Sequence, residues 1–96
     1  MKALAVCGFG VGSSMVLKMS LDKVFEKLGV DIEVENTDIN DAKSLPCDVI
    51  FTSAELCEEI KSGVKVKVYP VKKYIDLEEI EGVVKQFLAD KGLAKD

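Results

Sequence analysis

A chain of 96 residues, 48% apolar and 31% charged, has the material for one domain with a modest core and is too apolar to remain disordered. Its net charge of −4 lacks the basic excess on which nucleic-acid binding rests, so no nucleic-acid partner is expected. It contains no His, and all 13 of its basic residues are Lys, which excludes a histidine nucleophile, a Cys–His dyad and an arginine-clamped phosphate site within the chain.

In chain order, residues 3–6 (ALAV) form a short continuous apolar run, the pattern of a strand buried on both faces. A glycine-rich turn over residues 7–14 follows. A helix then begins near Ser13 and carries Met15, Leu17, Leu21, Val24, Phe25 and Leu28 at helical spacing, with Gly29 as its C-cap. Residues 31–35 alternate as a half-exposed edge strand does, and residues 40–43 suit a short helix or turn. Residues 48–52 (DVIFT) read as a second buried strand, and Ser53 caps a short helix that turns Leu56 and Ile60 inward. Residues 64–69 (VKVKVY) alternate strictly and read as another strand, ended by Pro70. Asp76 then caps a final amphipathic helix with Leu77, Ile80, Val83, Val84, Phe87 and Leu88 on its apolar side.

The order βαβαβαβα predicts an α/β fold: one domain over residues 1–96, with a four-stranded parallel sheet and helices on both faces. Ligands of such sheets sit off the carboxyl ends of the strands, which is where the turn after the first strand lies. That turn reads CGFGVGSS and runs directly into a helix. Gly8, Gly10 and Gly12 allow the backbone to curl so that successive N–H groups point inward as an anion nest. The helix start adds free N–H groups and a positive dipole end, and Ser13 and Ser14 add hydroxyls. The same surroundings lower a thiol pKa, and the thiolate is the nucleophile. Cys7 followed by Gly8, Phe9, Gly10, Val11, Gly12, Ser13 and Ser14 therefore reads as a phosphate cradle with a nucleophile at its mouth. The glycine spacing is GxGxG, which departs from GxGxxG, and no GK[ST] makes it a P-loop.

Cys47 and Cys57 lack a glycine loop or a basic neighbour and read as structural. Three cysteines without a CxxC pair fit neither a disulfide framework nor a zinc site; no metal and no cofactor are expected. Free thiols point to a reducing compartment, glycines interrupt the N-terminus too early for a signal peptide, and no apolar run approaches the ~20 residues of a membrane span. The expected location is the cytoplasm.

Residues 5–19, AVCGFGVGSSMVLKM, resemble the phosphorylation loop of enzyme IIB of the sugar phosphotransferase system, most closely the ascorbate type, within the wider group of lactose/cellobiose and galactitol IIB proteins. The resemblance implies a cytoplasmic phosphotransferase subunit. In it, Cys7 accepts a phosphoryl group from a phosphohistidine of enzyme IIA and donates it to a sugar, ascorbate by this resemblance, held by the membrane enzyme IIC. The loop is also similar to CxxxxxR[ST] of low-molecular-weight tyrosine phosphatases. There the Arg position falls on Ser13, and no arginine exists elsewhere in the chain to replace it. That absence weighs against a phosphatase or arsenate-reductase-like enzyme, which needs the guanidinium for its transition state. A regulatory IIB-like module without chemistry is the other alternative. Phe9 and Val11, apolar residues inside the loop, either pack internally or contact a partner.

Overall fold

The computed structural model describes residues 2–7 and 11–90, with side-chain surroundings for residues 2–6 and 15–90. The apolar run at the N-terminus forms β1 (Lys2–Cys7), in which Ala3, Leu4, Ala5 and Val6 are completely buried. Such burial needs a strand paired on both edges and covered on both faces. β1 has both: it lies between β2 (Glu33–Asp38) and β3 (Val49–Ser53), and β4 (Lys67–Val71) completes a sheet of order β2-β1-β3-β4. Every pairing is parallel.

Parallel neighbours require crossovers, and the helices supply them. These are α1 (Val11–Leu28), α2 (Ile39–Ala42) and α3 (Ala54–Lys61), with α4 (Leu77–Asp90) following β4. Alternate residues of β1 enter two separate cores. Ala3 and Ala5 pack with Leu17, Leu21, Val24 and Phe25 of α1 and with Ile80, Val84, Phe87 and Leu88 of α4. Leu4 and Val6 pack with Ala42 of α2 and with Cys57 and Ile60 of α3. The expected order of elements, the parallel sheet and the helices on both faces are all found.

Phe51 anchors the larger core. Its ring meets Phe25, Tyr69 and Phe87 at centroid distances of 6.2, 5.8 and 6.1 Å, in edge-to-face and stacked arrangements favoured by aromatic quadrupoles. At the end of α1, Gly29 adopts φ +72°, and the Val30 N–H reaches the Phe25 carbonyl at 2.9 Å. This is the Schellman closure that the glycine predicted.

Several boundaries differ from the sequence reading: β2 begins at Glu33 rather than at residue 31, β4 begins at Lys67 rather than at residue 64, and three further differences follow. α1 starts at Val11, so part of the expected turn is helix. β2 extends to Asp38 because six consecutive residues of β1, Lys2 to Cys7, supply a partner for each residue from Glu33 to Asp38. Pro70 lies within β4, opposite Thr52, rather than ending the strand. β4 is an edge strand, where a residue without an N–H is accommodated by facing it to solvent.

Two apolar assignments also change. Met15, expected on the inner face of α1, is 50% exposed, and Leu77 of α4 is also exposed. At about 100° per residue, Met15 and Met19 each stand about 200° around the helix from Leu17, away from the sheet.

Candidate active site

The carboxyl ends of the strands converge on one edge of the sheet. β1 ends there at Cys7, paired in register with Asp38, the last residue of β2. β2 and β3 both pass directly into helices at this edge. Asp38 caps α2 by accepting the Asp41 N–H at 2.8 Å, and Ser53 caps α3 by accepting the Leu56 N–H at 3.3 Å. The expected cap at Ser53 is thus found, and Asp38 performs the same task on the other side of Cys7.

α1 rises from the same edge. Only residues 8–10 separate the last residue of β1 from Val11. The first four amides of α1 therefore belong to Val11, Gly12, Ser13 and Ser14, the groups that a helix leaves without intrahelical acceptors. No acidic side chain occupies this first turn, whereas α3 has Glu55 and α4 has Glu78 and Glu79 in theirs. The positive end of the 18-residue α1 is thus left without a carboxylate of its own. The structure brings the backbones of Cys7 and Val11–Ser14 to one edge. Gly8, Phe9 and Gly10, and the side chains of Cys7, Val11, Ser13 and Ser14, lie outside what is described.

Thr52 is a member of this edge that the sequence did not single out. Completely buried, it pairs in register with Val6 and donates its hydroxyl hydrogen to the Val6 carbonyl at 3.0 Å. That carbonyl belongs to the peptide unit whose N–H is that of Cys7, so the bond fixes the plane on which the cysteine is mounted. A threonine in a run of buried apolar residues was the available signal, but its partner follows only from the strand register.

The other cysteines lie elsewhere. Cys57 is buried in the α2/α3 core, with its thiol 3.8 Å from the Val68 carbonyl. Cys47 is half-buried before β3. Burial pushes both thiols up in pKa, with the neighbouring Asp48 adding to the effect at Cys47. Both thus remain protonated at neutral pH and are poor nucleophiles. Lys18, one turn beyond Ser14, is committed to an ion pair of 2.8 Å with Asp22.

Residues 2–86 match the family model for the lactose/cellobiose-specific IIB subunit of the phosphotransferase system. The chain belongs to the phosphotransferase system IIB family. The ascorbate-specific EIIB component of Mycoplasma pneumoniae is 30% identical over 87 residues, an alignment covering 88% of this chain and 92% of that one. The ascorbate-specific EIIB component of Escherichia coli O157:H7 is 36% identical over 61 residues, covering 62% of this chain and 60% of its own. The fold agrees with solved IIB structures. The lactose-specific IIB domain of Streptococcus pneumoniae superposes with a TM-score of 0.64 at 18% identity, covering 94% of this chain and 95% of that one. An enzyme IIB subunit from Escherichia coli K12 gives a TM-score of 0.51, also at 18% identity, covering 95% and 94%. As a member of the IIB family, the chain is a component of sugar transport by group transfer, and none of its described helices is long and apolar enough to cross a membrane.

Proposed function

We propose that this IIB protein is a cytoplasmic phosphocarrier, one domain over residues 1–96, whose acceptor is Cys7. The observation that carries the reading is the position of Cys7: it ends an interior strand, with three residues between it and a helix whose first turn holds no acid, in a chain of the IIB family. The phosphoryl oxygens would be held by the backbone of Gly8, Phe9, Gly10, Val11, Gly12, Ser13 and Ser14 and by the two serine hydroxyls.

The donor is a phosphohistidine of enzyme IIA. The Cys7 thiolate attacks phosphorus; the S–P bond forms as the N–P bond breaks, and the imidazole keeps the electron pair. In the second transfer a sugar hydroxyl, held by the membrane enzyme IIC, attacks the same phosphorus and gives up its proton. The S–P bond breaks, and sulfur leaves as thiolate. A low thiol pKa serves both halves, since it makes the nucleophile available and makes sulfur a good leaving group. Ascorbate is the sugar favoured by the two relatives above. The absence of arginine supports relay over hydrolysis, because a carrier has to hold a phosphoryl group rather than drive it onto water.

Intact-mass measurement after incubation with phosphorylated enzyme IIA tests the proposal. One phosphoryl group is expected on the wild type, on Cys47→Ser and on Cys57→Ser, and none on Cys7→Ser. Full labelling of Cys7→Ser would overturn the assignment.

A further inference from the structure

Cys7 is flanked on both sides by residues that cap helices, and the two caps differ in charge. On β2, Asp38 pairs with Cys7 in register. On β3, Ser53 follows Thr52, the partner of Val6, and so stands level with Cys7. Neighbouring strands lie about 4.8 Å apart, a separation at which a full charge on either flank is felt. Ser53 caps α3 with a neutral hydroxyl, whereas Asp38 caps α2 with a carboxylate. Either chemistry makes a good cap, so the charge at Asp38 is not something the cap requires.

The Asp38 carboxylate accepts the Asp41 N–H through Oδ1 and, among the described residues, has no ion-pair partner. β2 packs against β1, α1 and α2. On β1, Lys2 stands at the far end of the strand and pairs with Glu35. On α1, Lys18 lies about 10 Å along the helix and pairs with Asp22, while Lys23, Glu26 and Lys27 follow further out. On α2, Asp41 adds a second carboxylate, and Lys43 beyond it lays its stem beside Gly63, past the end of α3. Across the edge, Glu55 opens α3, and Lys72 and Lys73 follow β4, two strands away. The charges that the described fold sets on either flank of Cys7 are therefore negative, against the positive end of α1.

We propose that Asp38 acts on Cys7 through charge: its carboxylate opposes negative charge on the neighbouring sulfur and so keeps a phosphoryl group there ready to leave. The proposal deepens the phosphocarrier reading and rests on it for the phosphoryl group, but the effect on the bare thiolate is independent of it. A cradle that only attracted anions would keep its cargo. Here α1 attracts and Asp38 repels, so that sulfur accepts from a phosphohistidine and still yields to a hydroxyl. A phosphocysteine dianion feels the carboxylate about twice as strongly as a thiolate does, so the repulsion bears most on the loaded state.

The test compares the full-length wild type with Asp38→Asn and Asp38→Ser, which keep a cap without its charge, and with Ser53→Asp, which sets a charge on the other flank. One readout is the pH midpoint for alkylation of Cys7 by iodoacetamide. The other is the phosphocysteine-to-thiol ratio at equilibrium with phosphorylated ascorbate-type enzyme IIA. Both are taken in about 10 mM and about 1 M KCl. In low salt, both neutral variants should lower the midpoint by about 0.5 pH unit and raise the ratio about threefold, the effect of one unit charge about 6 Å away in water-like surroundings. Ser53→Asp should move both the other way. In high salt, where the screening length falls to about 3 Å, the differences should largely vanish. A cap acting through structure alone would shift the urea midpoint and leave no salt-sensitive change in the thiol. Thiol midpoints of Asp38→Asn and Asp38→Ser equal to that of the wild type overturn the proposal, whatever Ser53→Asp does. Shifted midpoints with an unchanged ratio overturn its bearing on transfer. Shifted midpoints with no labelling of the wild type support the coupling and overturn the phosphocarrier reading alone.

Discussion

Thr52 holds the carbonyl of Val6 through a buried hydrogen bond of 3.0 Å, one peptide unit before Cys7. Replacement by valine keeps the shape and removes the donor. Thr52→Val is expected to cost about 1 kcal/mol of stability in urea unfolding. It should also lower kcat for labelling of Cys7 by up to about tenfold, with KM for the donor unchanged. Thr52→Ser keeps a hydroxyl and should restore the rate. A purely structural threonine would shift the urea midpoint and leave kcat where it was.

Alkylation should separate the three cysteines by pH. The start of α1 favours an anion beside Cys7, and its midpoint for reaction with iodoacetamide is expected below the ordinary thiol value of about 8.5. Cys47 and Cys57, pushed up by burial, should titrate above that value. Residue-resolved mass spectrometry across the pH range reads all three together. A Cys7 midpoint at or above the ordinary value would contradict the cradle.

Alkaline stability follows from the same shifts with a definite sign. Burial raises the folded-state pKa of Cys47 and Cys57. It also raises that of Tyr69, whose hydroxyl donates to Asp90. The unfolded chain releases these protons at about 8.5 for the thiols and about 10 for the phenol. The folded chain still holds them there, so it binds more protons than the unfolded chain and stability falls as pH rises. Full stability is expected below about pH 8.5, with decline above it. Urea midpoints measured from neutral to alkaline pH check this, and Tyr69→Phe should flatten the upper part of the decline. A rise in midpoint over that window would show the opposite linkage.

Two glycines should respond to alanine with opposite signs. Gly82 lies exposed within α4, and an added Cβ meets nothing within 4 Å; Gly82→Ala should stabilise by about 0.8–1 kcal/mol. Gly29 also has room, but its φ of +72° disfavours any L side chain, so Gly29→Ala should destabilise by about 1–2 kcal/mol. Thermal or urea unfolding of the two variants, with equal signs for both, would refute the argument.

Much of the fold was legible because local signals and tertiary needs agree. The run at 3–6 is an interior strand, Ser53 and Asp76 cap the helices assigned to them, and Gly29 closes α1. Cys7 and its loop stood out because glycines, serines and a cysteine at a strand end rarely serve packing alone. What was hidden depends on neighbours distant in sequence. Thr52 is tied to Val6 across 46 positions, and Pro70 is permitted only because β4 has an open edge. Met15 and Met19 follow the apolar composition of α1 but point away from its core, which composition does not reveal.

The placement of β1 bears on how the protein behaves as it fluctuates. Fraying of β4 or α4 would leave β1 paired to β2 throughout its length, and loss of β2 would leave it paired to β3. The amides of Leu4, Ala5 and Val6 should therefore exchange with solvent only when the whole domain opens, while those of the outer elements exchange through smaller openings. The residue at the end of β1 is mounted on the slowest-opening part of the chain, and partial unfolding at the periphery does not displace it.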